Sequence, residues 1–377
     1  MKKSIAMVIS ALVILSLAAC SSNENEIASS QDTNYSSVVN DTASMTQQSS
    51  SEDSGSIEAS DESVKNKASE IIERYGFEGI ILAERSGEPI LSYSKGTLEN
   101  GESITPSTPI PAGSISKHIC AAAVLLLEEQ GKLSTNDAID KYFPEYEHGS
   151  EITIHDLLSH RSGIAEVFDQ TTIETVFTDD KTEEENISAA KEMIFKKSLR
   201  YDPGTTFEYT NSNYFLLGLI VEQAAEMNYS DYLRESFFDP LEMKNTGTVD
   251  EMADSPEWLQ GLTYKKIDSS PGITKGAGDI VTSANDMMIW LNNLSEGTVI
   301  SKESFEKMTT DYSPSVHYGY GLYVELSGGA GHAGQTGIYS SFAYYNKEKG
   351  YAQILISNNL PPTTSVGAAQ KLYGELM

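Results

Sequence analysis

The chain is short of basic residues. Its 26 Lys and Arg stand against 55 Asp and Glu, a formal net charge of −29 over 377 residues. Binding to a phosphate backbone needs clustered Lys and Arg, so a nucleic-acid partner is excluded, as is a polybasic grip on a membrane surface. Cysteine is nearly missing, with only Cys20 and Cys120, which excludes a disulfide framework. No apolar run of 18 residues or more follows the N-terminal segment, so no internal membrane-spanning helix is expected. A Gly-x-Ser-x-Gly elbow is lacking, and with it the central feature of an α/β-hydrolase. His-Glu-x-x-His is lacking too. His155 and His160, with Asp156 between them, fall short of the three or four convergent ligands a metal requires. Neither metal nor cofactor is expected, and Cys120 reads as a small buried hydrophobe.

The N-terminus carries a targeting signal. Lys2 and Lys3 precede an apolar stretch from Ile5 to Ala19, broken only by Ser10 and Ser16, which is the arrangement of a secretory signal over residues 1–19. Its end, Leu17-Ala18-Ala19-Cys20, resembles the lipobox of bacterial lipoproteins. That resemblance implies cleavage before Cys20, lipidation of Cys20, and an extracytoplasmic protein held at the cell membrane by several acyl chains. Positions 21–62 hold 13 Ser, nine Asp or Glu, and no Lys or Arg. Such a segment has too little apolar surface to offset its ordering entropy. Residues 20–62 are therefore expected to be a disordered acidic tether, reaching on the order of 40 Å as a random coil.

The remainder, 63–377, is expected to be one folded body. Val64 to Tyr75 has a helical apolar stripe, and Ser86-Gly87 separates two strand-like runs, Gly79 to Glu84 and Pro89 to Tyr93. Further strand-like runs lie at Gly321 to Leu326, Ser341 to Tyr345 and Tyr351 to Ser357, ahead of a last helix after Pro361-Pro362. Between the ends, Ile119 to Glu129, Tyr214 to Ala225, Tyr229 to Phe238 and Asn285 to Leu294 read as helices. The acidic run Thr178 to Asn186 reads as a solvated face. The expected class is α+β: one antiparallel sheet built from about 63–110 and 315–377, flanked by terminal helices, with a mainly helical region over about 111–314.

Three short patterns carry chemistry. In Gly113-Ser114-Ile115-Ser116-Lys117 a serine and a lysine lie one helical turn apart. A buried lysine loses proton affinity and can activate a hydroxyl. In Phe207-Glu208-Tyr209-Thr210-Asn211 a tyrosine near cations can shuttle protons, and Asn211 can hold a lysine and a substrate amide together. Taken alone this stretch is an aromatic strand with an Asn cap. In Gly331-His332-Ala333-Gly334 glycines permit close backbone approach, and the histidine can donate hydrogen bonds to an acyl substrate.

In this order and spacing the three patterns resemble the serine β-lactamase and penicillin-binding protein superfamily, most closely its class C β-lactamase and DD-carboxypeptidase branch. Leu157 to Gly163, Tyr201 to Phe207, Pro240 to Met243, Gly276 to Met287, Tyr318 to Leu322 and Ile356 to Asn358 support the resemblance, which covers roughly residues 64–377. It implies Ser114 as the acylated nucleophile, Lys117 and Tyr209 as proton-handling partners, and Asn211 and His332 as substrate-positioning residues. Gly334 and Gln335 would join them in binding substrate along the strand beside the nucleophile, and the N–H groups of Ser114 and Gln335 would form the oxyanion hole. Many relatives carry Lys-Thr-Gly where this chain has His332-Ala333-Gly334, which weakens the expected grip on a carboxylate. The resemblance implies a membrane-anchored serine hydrolase acting on small acyl substrates, D-alanyl peptide or D-alanyl ester groups of the cell envelope. The alternatives are a β-lactamase and a non-catalytic penicillin-binding sensory lipoprotein. Oligomeric state is left open.

Overall fold

The computed structural model describes residues 55–97, 101–177, 181–253, 272–337 and 339–377. The expected signal peptide, the lipidation site at Cys20 and most of the expected tether lie outside the described residues.

β1 (Ser56–Ala59), β2 (Gly79–Arg85) and β3 (Glu88–Lys95) come from the N-terminal side. β2 and β3 are joined by Ser86 and Gly87, both left-handed with φ of 54° and 79°, a turn whose twist matches that of paired strands. β4 (Ile110–Pro111), β5 (Gly247–Thr248) and β6 (Ile280–Thr282) make a separate small sheet that the sequence did not announce. β7 (Tyr323–Val324), β8 (Gly329–Thr336), β9 (Tyr339–Asn346) and β10 (Tyr351–Ser357) complete the main sheet, ordered β1-β3-β2-β10-β9-β8-β7 and antiparallel throughout. The two ends of the chain meet at its centre, where β10 pairs with β2 with Ile354 opposite Leu82.

Each face of the sheet has its own cover. Helix α1 (Glu62–Tyr75) starts at Asp61, whose carboxylate accepts the Val64 N–H at 3.0 Å, and stops at Gly76 in the left-handed region. Together with the C-terminal helix (Pro362–Leu376) it buries Ala68, Ile71, Val366, Ala369 and Leu372 against Ile81, Ala83 and Leu355. Residues one step along the same strands, Ile80, Ile354 and Ile356, face the helical region instead. There α2 (Ser116–Glu129) is apolar nearly all round and is central for that reason, packed on α3 (Asn211–Ala225) and, through His118, on Trp290 of α4 (Ala284–Glu296). Numbered in turn, the C-terminal helix is α5. No helix among the described residues is long and apolar enough to cross a membrane.

The expected α+β architecture holds, with local differences. Ser56–Ala59 pairs with β3, so order begins before residue 63 and the tether boundary at 62 stood too late. Its short Ile-Glu-Ala run lacks the length to be read as a strand without its partner. The expected run Gly321 to Leu326 is paired only at Tyr323–Val324. Tyr229 to Phe238 is a short helix, Tyr229–Leu233, that widens into a π-turn over Arg234–Phe238. The acidic run is partly the first turn of a helix, Glu183–Lys196, with a Thr182/Glu185 capping box and three acids favourably placed at its N-terminus.

Candidate active site

The site lies where α2 begins, between the helical region and the edge of the main sheet. A short 3₁₀ turn, Gly113–Ile115, leads into α2. From Ile110 to Leu125 every residue is buried except Ser114. The turn is pinned from three sides. Ser116 Oγ donates to Gly113 O at 2.7 Å and accepts the Ile280 N–H at 2.9 Å, while Ala112 N–H donates to Ile280 O at 2.8 Å. From β9, Ser341 Oγ donates to Ala112 O at 2.7 Å. Gly113 has φ of 54°, and a Cβ there would sit 2.6 Å from Gln335 N, so this turn and β8 touch backbone to backbone.

Lys117 is fully buried and its Nζ has three oxygen partners: Ser114 Oγ at 3.1 Å, Asn211 Oδ1 at 2.8 Å and Ala277 O at 2.6 Å. The same nitrogen lies 5.0 Å from the centroid of the Tyr209 ring. Ser114, Lys117, Tyr209 and Asn211 are thus brought together. Thr210, not Asn211, is the N-cap of α3, its Oγ1 accepting the Ser212 N–H at 3.2 Å. That frees the Asn211 side chain to face Lys117. The stretch before it is irregular backbone and not a strand.

Two supporting elements carried no signal that sequence reasoning used. Glu166 accepts the Asn211 N–H at 2.6 Å through Oε2, and the Val167 and Phe168 N–H groups at 2.9 Å through Oε1. Ala277 acts through its carbonyl, which no side-chain pattern reports. Its turn is held by Lys275, which is buried and bridges Glu222 at 2.5 Å and Glu183 at 2.8 Å.

On β8 the expected residues are in place, with two corrections. Gly334 serves the protein's own backbone: a Cβ there would lie 2.0 Å from Ala112 O, so glycine is needed for the strand to pass the serine turn. His332 faces the site side of the strand but is buried, its ring 5.9 Å from that of Tyr209. Its Nδ1 is 2.5 Å from Ala333 O, which fixes the proton there, and Nε2 faces the Tyr318 hydroxyl at 3.5 Å. Burial, aided by the Lys117 ammonium, lowers His332 to about 3. It is therefore neutral, and its one N–H is already engaged inside the protein, so the expected donation to a substrate does not follow from this arrangement. Gln335 is exposed at the site mouth, with its backbone against Gly113.

The remaining candidates stand apart from the chemistry. His155 Nδ1 hydrogen-bonds the Tyr320 hydroxyl at 2.6 Å. Cys120 is buried, and desolvation pushes its thiol well above the usual range, which makes it inert.

The Beta-lactamase family model matches residues 64–376. The chain belongs to the Beta-lactamase family. Within that family it is similar to PbpX of Bacillus subtilis (strain 168), named as a penicillin-binding protein, with 29% identity over 321 residues that cover 81% of this chain and 77% of PbpX. Protein Flp of Staphylococcus aureus (strain MW2) is 25% identical over 300 residues, 74% of this chain, which spans 59% of the length of Flp. An octameric penicillin-binding protein homologue from Pyrococcus abyssi has 27% identity and a TM-score of 0.68, with 82% and 77% of the two chains covered. D-amino acid amidase from Ochrobactrum anthropi SV3 shares the fold at a TM-score of 0.70 and 22% identity, covering 83% of this chain and 98% of its own. The chain is thus a serine hydrolase of the β-lactamase and penicillin-binding-protein fold.

Proposed function

We propose that the protein acts through an acyl-enzyme on Ser114, and that its substrates are D-alanyl peptide or D-alanyl ester groups of the cell envelope. The observation that carries the reading is Lys117, fully buried with Nζ 3.1 Å from Ser114 Oγ. Asn211 Oδ1 and Ala277 O hold the Lys117 nitrogen in line with the serine.

Ser114 Oγ bonds to the substrate carbonyl carbon as Lys117, in its amine form, takes the serine proton. The negative charge that develops on the carbonyl oxygen is met by the N–H groups of Ser114 and Gln335. The bond to the leaving group then breaks as Tyr209 supplies it with a proton. In the second half water adds to the acyl carbon as Tyr209 takes its proton, and Ser114 leaves with the proton returned by Lys117. A neutral His332 gives no fixed cation on β8, which supports a preference for esters and amides over substrates recognised by a carboxylate.

The likeness to PbpX supports a second reading, in which penicillins also acylate Ser114. A panel of D-alanyl esters, D-Ala-D-Ala peptides, nitrocefin and a fluorescent penicillin, run on wild type and Ser114→Ala, tests both. Turnover of esters above that of nitrocefin, lost in the variant, supports the first reading. Nitrocefin turnover exceeding ester turnover would reverse the order. Labelling by penicillin without turnover of any substrate would favour a sensory role. We further propose that Cys20 is lipidated and that the acidic segment holds the enzyme off an extracytoplasmic membrane face.

A further inference from the structure

A histidine that takes no part in these steps sits directly behind Tyr209. His160 follows the short helix Ile154–Leu158 and adopts φ of 56°, a left-handed conformation uncommon for a residue with a side chain. Its ring is fully buried. The centroid lies 4.4 Å from that of Tyr209 at a tilt of 38°, and 5.1 Å from those of Tyr214 and Tyr318.

His160 also binds the backbone on both sides of Tyr209. Its carbonyl accepts the Glu208 N–H at 2.9 Å, and its Nδ1 accepts the Thr210 N–H at 3.4 Å. Asn213 Nδ2 points at the same nitrogen from 3.2 Å. The direction of that bond is fixed, because Ser162 Oγ donates to Asn213 Oδ1 at 2.6 Å and turns the amide donors toward the ring. Nδ1 is therefore an acceptor and the proton is on Nε2. Burial first, and the nearby Lys117 ammonium second, hold the ring well below its ordinary value, so the acceptor stays available. A protonated ring would lose the acceptor that Thr210 and Asn213 share.

We propose that His160 is a positioning residue for Tyr209. It clamps the residues before and after the tyrosine and backs its ring, so that the hydroxyl stays in register with Lys117 and Ser114. This rests on the reading of Tyr209 as the proton carrier.

The test is a double-mutant cycle. His160→Leu keeps bulk and removes the acceptor; His160→Asn keeps an acceptor near the Nδ1 position and removes the ring. Each is combined with Tyr209→Phe, and kcat and KM for a D-alanyl ester are measured beside thermal unfolding. His160→Leu should lower kcat about ten-fold or more with KM changed less than three-fold, and His160→Asn should fall between it and wild type. In the Tyr209→Phe background either change should alter kcat less than two-fold, since the group being positioned is gone. The same loss in both backgrounds would overturn the proposal and make His160 a general structural residue. Should His160→Leu not fold, the His160→Asn pair decides by the same comparison. Wild-type turnover in Tyr209→Phe alone would overturn the Tyr209 reading itself, and the positioning role with it.

Discussion

Glu166 Oε2 lies 2.6 Å from the backbone nitrogen of Asn211, so one carboxylate fixes the first residue of the helix whose side chain holds Lys117. The link runs from a loop acid, through a helix N-terminus, to the amine beside the nucleophile. Negative charge is also favourable at that end of a helix.

Breaking this link should therefore cost activity more than stability. A hydrogen bond to a charged group is worth about 1.5–3 kcal/mol. If that loss falls on the transition state, Glu166→Ala should lower kcat/KM by roughly ten- to a hundred-fold. Glu166→Gln keeps an acceptor and should lose less. Wild-type kcat/KM in Glu166→Ala would show that the carboxylate does not act on the site through Asn211.

Gly334→Ala should separate β8 from the serine turn. The added methyl would lie 2.0 Å from Ala112 O, a backbone atom that cannot swing aside. Overpacking of a tight contact costs about 1–3 kcal/mol. Unfolding should shift by that order, and acylation of Ser114 should fall at least ten-fold. Wild-type acylation with wild-type stability would mean that the strand and turn can part without consequence.

The outline of the site was legible in the sequence because its side chains recur in three short patterns, and the fold was legible because strand-like and helix-like periods separate along the chain. What was not legible is mostly backbone or burial. The Ala277 carbonyl has no side-chain signature. Glu166 is one acid among many until Asn211 is placed against it. His332 reads as a donor until its nitrogens are found engaged by Ala333 and Tyr318. β1 is a strand only because β3 offers an edge.

Stability should depend on pH through opposing buried groups. Burial lifts Asp279 to about 7, and its Oδ1 has no hydrogen-bond partner among the described residues. Its contribution is full below pH 3.8 and is lost as pH rises through 7. Burial lowers His118 and His332 from 6.5 to about 3, so their contribution is present above pH 6.5 and lost as pH falls toward 3. Each group contributes a slope of at most about 1.4 kcal/mol per pH unit. The wild-type melting temperature should thus fall on acidification from pH 6.5 to 4.5. Asp279→Asn removes the opposing slope, so its stability relative to wild type should rise steadily from pH 4 to 7 and level off above. A difference constant across this range would contradict the assignment.

The anchor is tested by fractionation. Cys20→Ala should move the protein out of the membrane fraction, and wild-type retention would refute lipid anchoring through that residue. A chain starting at Gly55 should fold and turn over substrate like the full chain. One starting at Ser63 loses β1 and should be less stable, by unfolding in urea.

Ser114 as the acylated nucleophile is tested by trapping the acyl-enzyme. Wild type is quenched in acid during turnover of a D-alanyl thioester, and the protein is mapped by mass spectrometry. A D-alanyl adduct is expected on the peptide carrying Ser114, absent in Ser114→Ala and formed about 100- to 10,000-fold more slowly in Lys117→Ala. Turnover surviving in Ser114→Ala, or an adduct mapped to another residue, would contradict it.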